Sequence, residues 1–201
     1  MISVVIPVLN EEESAPLLAQ KLFDVLNKQN TDFEIIFVDD GSTDQTLNRL
    51  LNLKDKKIRL VELSRRYGQT AAISAGIDSA QGEIVIIMDG DLQHDPEDIP
   101  RFLEKIYEGF DIVSGWRKVR TDNFLIRKLP SYFANKAMRL VSGVEVQDFG
   151  STYKAYRSDI LQKIELFGEL HRFIPVLASK VGAKICEIPI SVHPRKLGKS
   201  K

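Results

Sequence analysis

Short β-branched apolar runs alternate with longer amphipathic ones through the first 115 residues. The runs near Ile2 to Val8, Phe33 to Val38, Ile58 to Leu63, Ile84 to Met88 and Ile112 to Ser114 have the length and composition of strands. Between them the spacing predicts helices near Glu12 to Lys28, Asp44 to Leu53, Thr70 to Ala80 and Pro96 to Tyr107. Alternation of this kind marks an α/β sheet with parallel strands. The runs "SVVIPV", "EIIFVDD" and "EIVIIMD" are apolar on both faces, as expected when helices cover both sides of a sheet. After Ser114 the regularity weakens. There the pattern predicts a basic amphipathic helix over Phe124 to Ser142, a short strand over Tyr153 to Tyr156, a helix over Leu170 to Val181 and a last strand over Ala183 to Ile190.

Size and charge narrow this picture. The chain has 201 residues, 43% of them hydrophobic, enough for one sizeable core, so a single domain is expected. Lys+Arg and Asp+Glu balance at 28 each, which gives no reason to expect a nucleic-acid partner. The balance is uneven along the chain, however. Arg117, Lys118, Arg120, Arg127, Lys128, Lys136 and Arg139 face one acid, Asp122, and the tail adds Arg195, Lys196, Lys199 and Lys201. The single cysteine, Cys186, lies in the apolar run "KICEIPI" and suits a reducing compartment without a disulfide framework. The start "MISVVIPV" reads as a first strand, and no stretch approaches the roughly 18 apolar residues of a membrane span.

Open α/β sheets bind ligands at the carboxyl ends of their strands. Here those ends carry "PVLNEEE", "VDDGSTD", "LSRRYGQ", "MDGDLQHDPED" and "SGWRK", each polar and charged directly after an apolar run. A dinucleotide site, with Asp39 or Asp40 on a ribose, fails on the first turn, because "PVLNEE" has carboxylates where a Gly-rich phosphate loop belongs. A ribose or base could still lie among Pro7, Asn10, Glu11 and Asp39. In "DDGSTD", Ser42 or Thr43 is expected to cap the next helix. Asp89 and Asp91 flank Gly90, close enough to share a ligand. Hard divalent cations take carboxylates and keep positions open for substrate phosphates. An Asp-x-Asp pair alone is a weak signal. Asp95, Glu97 and Asp98 are expected to start a helix around Pro96.

"VVIPVLNEE", "VDDGSTD", "RRYGQTAAISAGIDSAQGE", "MDGDLQHDPE" and "SGWR", in this order and spacing, resemble the inverting family 2 glycosyltransferases of GT-A fold. Among these they look most like the polyprenyl-phosphate sugar synthases, of the dolichol-phosphate mannose synthase and bactoprenol glucosyltransferase type. The likeness runs from about Ile2 to the C-terminus, where "VQDFGSTYKAYRSDIL" and "HPRKLGKSK" match further segments. It implies a Rossmann-like, mostly parallel central sheet flanked by helices, with a donor half over 1–115 and an acceptor half over 116–201. Residue by residue it implies that Pro7, Glu11 and Asp39 contact the nucleoside. It makes Asp89 a contact to the donor and its metal, Asp91 the principal ligand of Mg²⁺ or Mn²⁺, and Gln93 a helper to both. Arg117, with Arg127 and Ser131, would hold the phosphate of a polyprenyl phosphate acceptor. Arg195 matches a basic segment that in relatives closes over the donor phosphates. Asp148 matches the acid ahead of a Thr-Ser-Gly-Phe-Arg-like segment, which here reads "GSTYK".

The chemistry this implies is transfer of a hexose from a UDP- or GDP-linked donor. A metal and a cation such as Arg195 would stabilise the departing diphosphate. A phosphate acceptor, with a second pKa of about 6, is largely anionic near neutrality and needs no general base. Asp148 is thereby open to three roles: base, positioner of the acceptor, or structural acid paired with an arginine. The basic helix over Phe124 to Ser142 is open to two, resting on an anionic leaflet or packing on the core. Of the histidines, His94 is expected near the donor, and His171 and His193 are expected to be structural. Family members of this type often continue into transmembrane helices, so a catalytic domain cut from a longer protein, working at the cytoplasmic face of a membrane, is expected. The alternatives are a saccharide or protein hydroxyl acceptor, a phosphatase with an aspartyl nucleophile, and a non-catalytic nucleotide-sugar-binding domain. Oligomeric state is left open.

Overall fold

The computed structural model describes residues 1–53, 55–117, 143–164 and 170–195. Its strands are β1 (Ile2–Val8), β2 (Phe33–Asp39), β3 (Ile58–Glu62), β4 (Ile84–Ile87), β5 (Ile112–Trp116), β6 (Lys154–Arg157) and β7 (Ile185–Pro189). They form one sheet in the order β3-β2-β1-β4-β6-β5-β7. The helices are α1 (Ser14–Leu26), α2 (Thr46–Leu51), α3 (Gln69–Ser79), α4 (Ile99–Tyr107), α5 (Ser158–Leu161) and α6 (Ile174–Ser179). Among the described residues no helix is long and apolar enough to cross a membrane.

Two apolar layers sandwich the sheet. Ile2, Val4, Ile6, Ile35 and Phe37 pack with α1 and α4 on one face, while Val5, Ile36, Val38 and Val85 pack with α3 and α6 on the other. This is why β1, β2 and β4 read as continuous apolar runs. Gly76 lets α3 lie directly on β1, since a Cβ there would sit 2.3 Å from Val5 Cγ1.

Register places the site. β1 and β2 pair from Ile2↔Phe33 to Val8↔Asp39, so the turns that follow them emerge side by side. β4 stays level with β1 only to Val5↔Ile87, which brings Asp89 to Asp91 out beside the end of β1. β6 runs antiparallel to both neighbours and begins at this same edge, with Lys154 opposite Ile87 and Ser114. The segment that leads into β6 therefore reaches the carboxyl ends of the parallel strands.

The expectation of a mostly parallel α/β sheet is met, with β6 as the antiparallel member. Four residues carry no signal of strand direction. The helix expected over Leu170 to Val181 is instead a 3₁₀ turn (Leu170–Phe173) followed by α6, where Pro175 occupies an N-terminal position that needs no N–H. α5 was not foreseen. The basic helix expected over Phe124 to Ser142 lies outside the described residues.

Candidate active site

A cleft of about 330 Å³ opens at the carboxyl ends of β1 to β4, and Pro7, Glu11, Asp89, Asp91 and Arg195 all line it. Its first wall is made by two turns laced together. Asn10 adopts φ 53°, and its side-chain oxygen accepts the Thr43 N–H at 2.8 Å while its own N–H donates to Ser42 Oγ at 2.9 Å. The Glu11 N–H donates to Thr46 Oγ1 at 2.8 Å. Its buried carboxylate then accepts the Ser14 hydroxyl and an Arg195 N–H, each at 2.6 Å. Asp39, also buried, accepts the Ser42 N–H at 3.1 Å and the Ser42 hydroxyl.

The expected Ser42 or Thr43 cap on α2 is therefore corrected. Asp39 takes the Ser42 hydroxyl and Asn10 takes the Thr43 N–H, so Asp44 serves the helix start by accepting the Thr46 N–H at 2.9 Å. Asp40 accepts the N–H groups of Tyr67 at 2.7 Å and Gly68 at 2.9 Å, and so fixes the entry to α3.

The opposite wall is "DGD". A Cβ on Gly90 would stand 2.7 Å from Val8 Cγ1, so only glycine lets the chain pass this close to β1. Asp89 is held by neutral donors on both oxygens: Gln69 Nε2 at 2.8 Å and the Thr152 hydroxyl. Asp91 receives the Gln93 N–H at 3.1 Å and lies 3.7 Å from the Arg195 guanidinium. Burial raises its pKa, and the charges of Asp89 and Glu11 push the same way against the Gln93 N–H and Arg195. A carboxylate in this state fits an added cation. Among the described residues no group of three or more His, Cys, Asp or Glu forms a ready metal cage. Two carboxylates with positions left for substrate phosphates and water are the usual protein share of a Mg²⁺ site.

Arg195 arrives on a strap over the loop that follows Asp91. The Ser191 N–H donates to Asp98 at 2.7 Å, the His193 N–H donates to the Gln93 carbonyl at 2.8 Å, and His193 Nε2 lies 3.0 Å from Asp95. Gln93 also donates its amide to the His193 carbonyl at 3.4 Å. As expected, Asp95 starts a helical turn, accepting the Glu97 N–H ahead of Pro96. His94 is buried against Tyr153, with Nδ1 3.9 Å from Asp89, and burial lowers its pKa, which favours the neutral ring.

Beyond Asp89 the charges pair over long range. Arg117, at the end of β5, donates Nε and Nη2 to the buried Asp148 at 2.7 and 2.9 Å. The N–H groups of Gln147 and Asp148 donate to Glu187 at 2.8 and 3.1 Å. Of the three roles open to Asp148, the geometry displays the paired one. Arg127 and Ser131 lie outside the described residues. Asp40, Arg66, Gly68 and Gln69 also line the cleft and went unassigned in the sequence, although "RRYGQT" marked the place. The Thr152 contact to Asp89 spans 63 residues and leaves no local signal.

The sequence profile described as Glycosyl transferase family 2 matches residues 3–165. The chain is similar to the dodecaprenyl-phosphate galacturonate synthase of Rhizobium johnstonii, 40% identical over 206 residues that cover 100% of this chain and 61% of that one. It is also similar to the undecaprenyl-phosphate 4-deoxy-4-formamido-L-arabinose transferase of Pectobacterium atrosepticum, 41% identical over 203 residues, covering 100% and 62%. The chain thus spans about three fifths of the length of these relatives. Among solved structures it resembles the glucosyl-3-phosphoglycerate synthase of Mycobacterium tuberculosis in complex with Mn²⁺ and UDP-glucose. That match has a TM-score of 0.75 at 22% identity, over 99% of this chain and 72% of that one. At this identity the likeness is one of fold, the GT-A arrangement.

Proposed function

This chain belongs to glycosyl transferase family 2, and we propose that it is the catalytic domain of a metal-dependent inverting glycosyltransferase. In this reading it moves a hexose from a nucleotide sugar to a polyprenyl phosphate at the cytoplasmic face of a membrane. The observation that carries the proposal is the Asp89 and Asp91 pair, with Asp91 raised by burial and like charge, facing Arg195 across a cleft at the strand ends. The names of the two relatives, both polyprenyl-phosphate sugar enzymes, support the acceptor.

Residues 1–115 form the donor half and 116–201 the acceptor half. Pro7, Asn10, Glu11 and Asp39 surround the nucleoside, and Asp89, Asp91 and Gln93 hold the divalent ion. When bound, that ion acts as a Lewis acid on the leaving diphosphate. Arg195 exchanges carboxylate partners for phosphate oxygens and adds a second positive charge where negative charge develops. The acceptor phosphate oxygen attacks the anomeric carbon from the face opposite the diphosphate. The bond to the diphosphate breaks with its electron pair, and configuration inverts. Because the acceptor is anionic near neutrality, no proton need be removed from it. Arg117 offsets the repulsion between this anion and the acidic cleft, and Asp148 holds the guanidinium in place for it. The family resemblance would add Arg127 and Ser131 to the contacts of the acceptor phosphate.

The test is a thermal-shift panel of UDP-, GDP- and other nucleotide sugars, with and without Mg²⁺ or Mn²⁺, followed by transfer to a short polyprenyl phosphate. One donor giving a metal-dependent shift, and metal-dependent transfer, is expected. Shifts independent of metal, or full metal-dependent transfer by Asp91→Asn, would overturn the proposal.

A further inference from the structure

We propose that Lys154 is a positioning residue for the transfer reaction: its buried ammonium ties down residues 148–152, the segment that sets Asp148 on Arg117 and Thr152 on Asp89. The consequence for transfer rests on the function proposed above. Lys154 opens β6 and is 1% exposed, between Ile87 and Ser114 of the neighbouring strands. Apolar packing at that position calls for a valine or leucine, because an unpaired buried charge is strongly unfavourable. The ammonium instead donates to the carbonyls of Ser151 and, at 3.5 Å, of Phe149. Both carbonyls belong to a stretch outside any helix or strand, bridged internally by the Ser151 N–H to the Asp148 carbonyl at 3.4 Å.

That stretch joins the two halves of the site. Its first residue accepts the Arg117 guanidinium, and its last donates to the carboxylate of Asp89. A Cβ on Gly150 would come 3.3 Å from Arg117 Nη2, so the segment packs closely on the arginine it positions. Around the ammonium, Asp148, Asp89 and Glu187 supply negative charge, Arg117 supplies positive charge, and His94 is the nearby ring. Burial lowers the Lys154 pKa to about 8, with Asp148 opposing that fall. The tie is therefore charged at neutrality and is lost a little above it.

The experiment compares the wild-type protein with Lys154→Met and Lys154→Arg in three measurements. The first is hydrogen exchange over residues 148–152, the second is donor affinity by thermal shift, and the third is kcat and KM against pH. In Lys154→Met we expect faster exchange confined to that segment, donor affinity within about twofold of wild type, and kcat reduced about 10- to 100-fold. Lys154→Arg should keep most of kcat and move the alkaline fall expected of the wild type to higher pH. Unchanged exchange and kcat in a folded Lys154→Met would overturn the inference. So would a loss shared equally by donor binding and exchange throughout the chain. Should Lys154→Met fail to fold, an alkaline limb that stays in place in Lys154→Arg overturns it. A wild-type protein that transfers no sugar defeats the functional reading instead, and the exchange data still decide whether Lys154 holds the segment.

Discussion

In the donor half, Asp39 and Asp91 take their N–H donors from two or three residues further along the chain, and Asp44 takes one in the same way besides the Glu12 N–H. Across the sheet, Asp148 takes its guanidinium from 31 residues away, and Glu187 takes N–H groups from 40 and 39 residues away. Asp39, Asp44 and Asp91 are shaped by their own turns, although Asp40, Asp89 and Glu11 are held over longer range, and Asp91 is left short of positive charge. On the acceptor side Asp148 is matched by the Arg117 charge and Glu187 by two backbone N–H groups, both over long range. A short-range, undercompensated carboxylate suits a ligand that comes and goes, whereas a long-range buried pair suits a wall that must not move.

The largest expected effect breaks that wall. Arg117→Met removes the guanidinium from the Asp148 side chain, which is 5% exposed. Removing one partner of such a pair costs about 3–5 kcal/mol. Urea unfolding measures it, and a loss under about 1 kcal/mol would erase the contrast between the halves.

The donor side should respond with the opposite sign. Asp91→Asn is expected to lower transfer roughly 10²–10³-fold, the usual loss when one electrostatic partner of a transition state is removed. The metal-free protein should nevertheless become more stable. The folded pKa of Asp91 lies above its ordinary 3.8, so the cost of ionising it in place is absent below that value. It enters as pH climbs through the carboxylate range to the raised folded pKa. Melting curves of both proteins should therefore coincide in acid and separate towards neutrality, with the variant higher. A variant that melts lower at neutral pH would mean that Asp91 is already compensated by Arg195.

Two glycines sharpen the same difference at smaller scale. A Cβ on Gly90 meets Val8 Cγ1 at 2.7 Å in a packed core, whereas one on Gly150 meets side-chain ends alone, Arg117 Nη2 at 3.3 Å and Asp148 Oδ1 at 3.6 Å. Gly90→Ala should cost about 1–3 kcal/mol by overpacking, and Gly150→Ala clearly less. Thermal unfolding of the two variants side by side tests the ranking.

How far the sequence speaks follows this division. The strands β1 to β4 were legible, because apolar runs ending in charged turns signal parallel strand ends directly, and the resemblance to family 2 glycosyltransferases picked out Pro7, Glu11, Asp89, Asp91 and Arg195, which the structure brings to one cleft. The contacts of Asp39 and Asn10 were not. In the structure each also binds the turn at Ser42 and Thr43, Asp39 through the Ser42 hydroxyl and Asn10 through the Thr43 N–H, partners that no spacing reveals. The antiparallel course of β6 was equally hidden, and with it the meeting of Thr152 with Asp89. Nothing in "STYKAYR" marks Lys154 as buried, since burial of a charge depends on partners far away in the chain.

The smallest effect concerns the strap that carries Arg195. The His193 ring meets Asp95 at 3.0 Å, but it is half exposed, and Asp95 is also engaged by the Glu97 N–H. Exposed pairs contribute about 0–1 kcal/mol, so His193→Ala should cost less than 1 kcal/mol. The strap keeps its other ties, because the Ser191 N–H to Asp98, the His193 N–H to the Gln93 carbonyl and the Gln93 amide to the His193 carbonyl survive loss of the ring. Although partial burial works to raise the Asp95 pKa, the His193 hydrogen bond and the Glu97 N–H together hold it below its ordinary value. Its contribution to stability is then present above that ordinary value and is lost as pH falls through the lowered one. The small difference between wild type and His193→Ala should accordingly shrink in acid. Donor affinity should stay within about twofold, since Arg195 is positioned by backbone ties. A tenfold loss of donor affinity in His193→Ala would instead place Arg195 under the control of the ring, and would move the weakest link of the donor site from Asp91 to the strap.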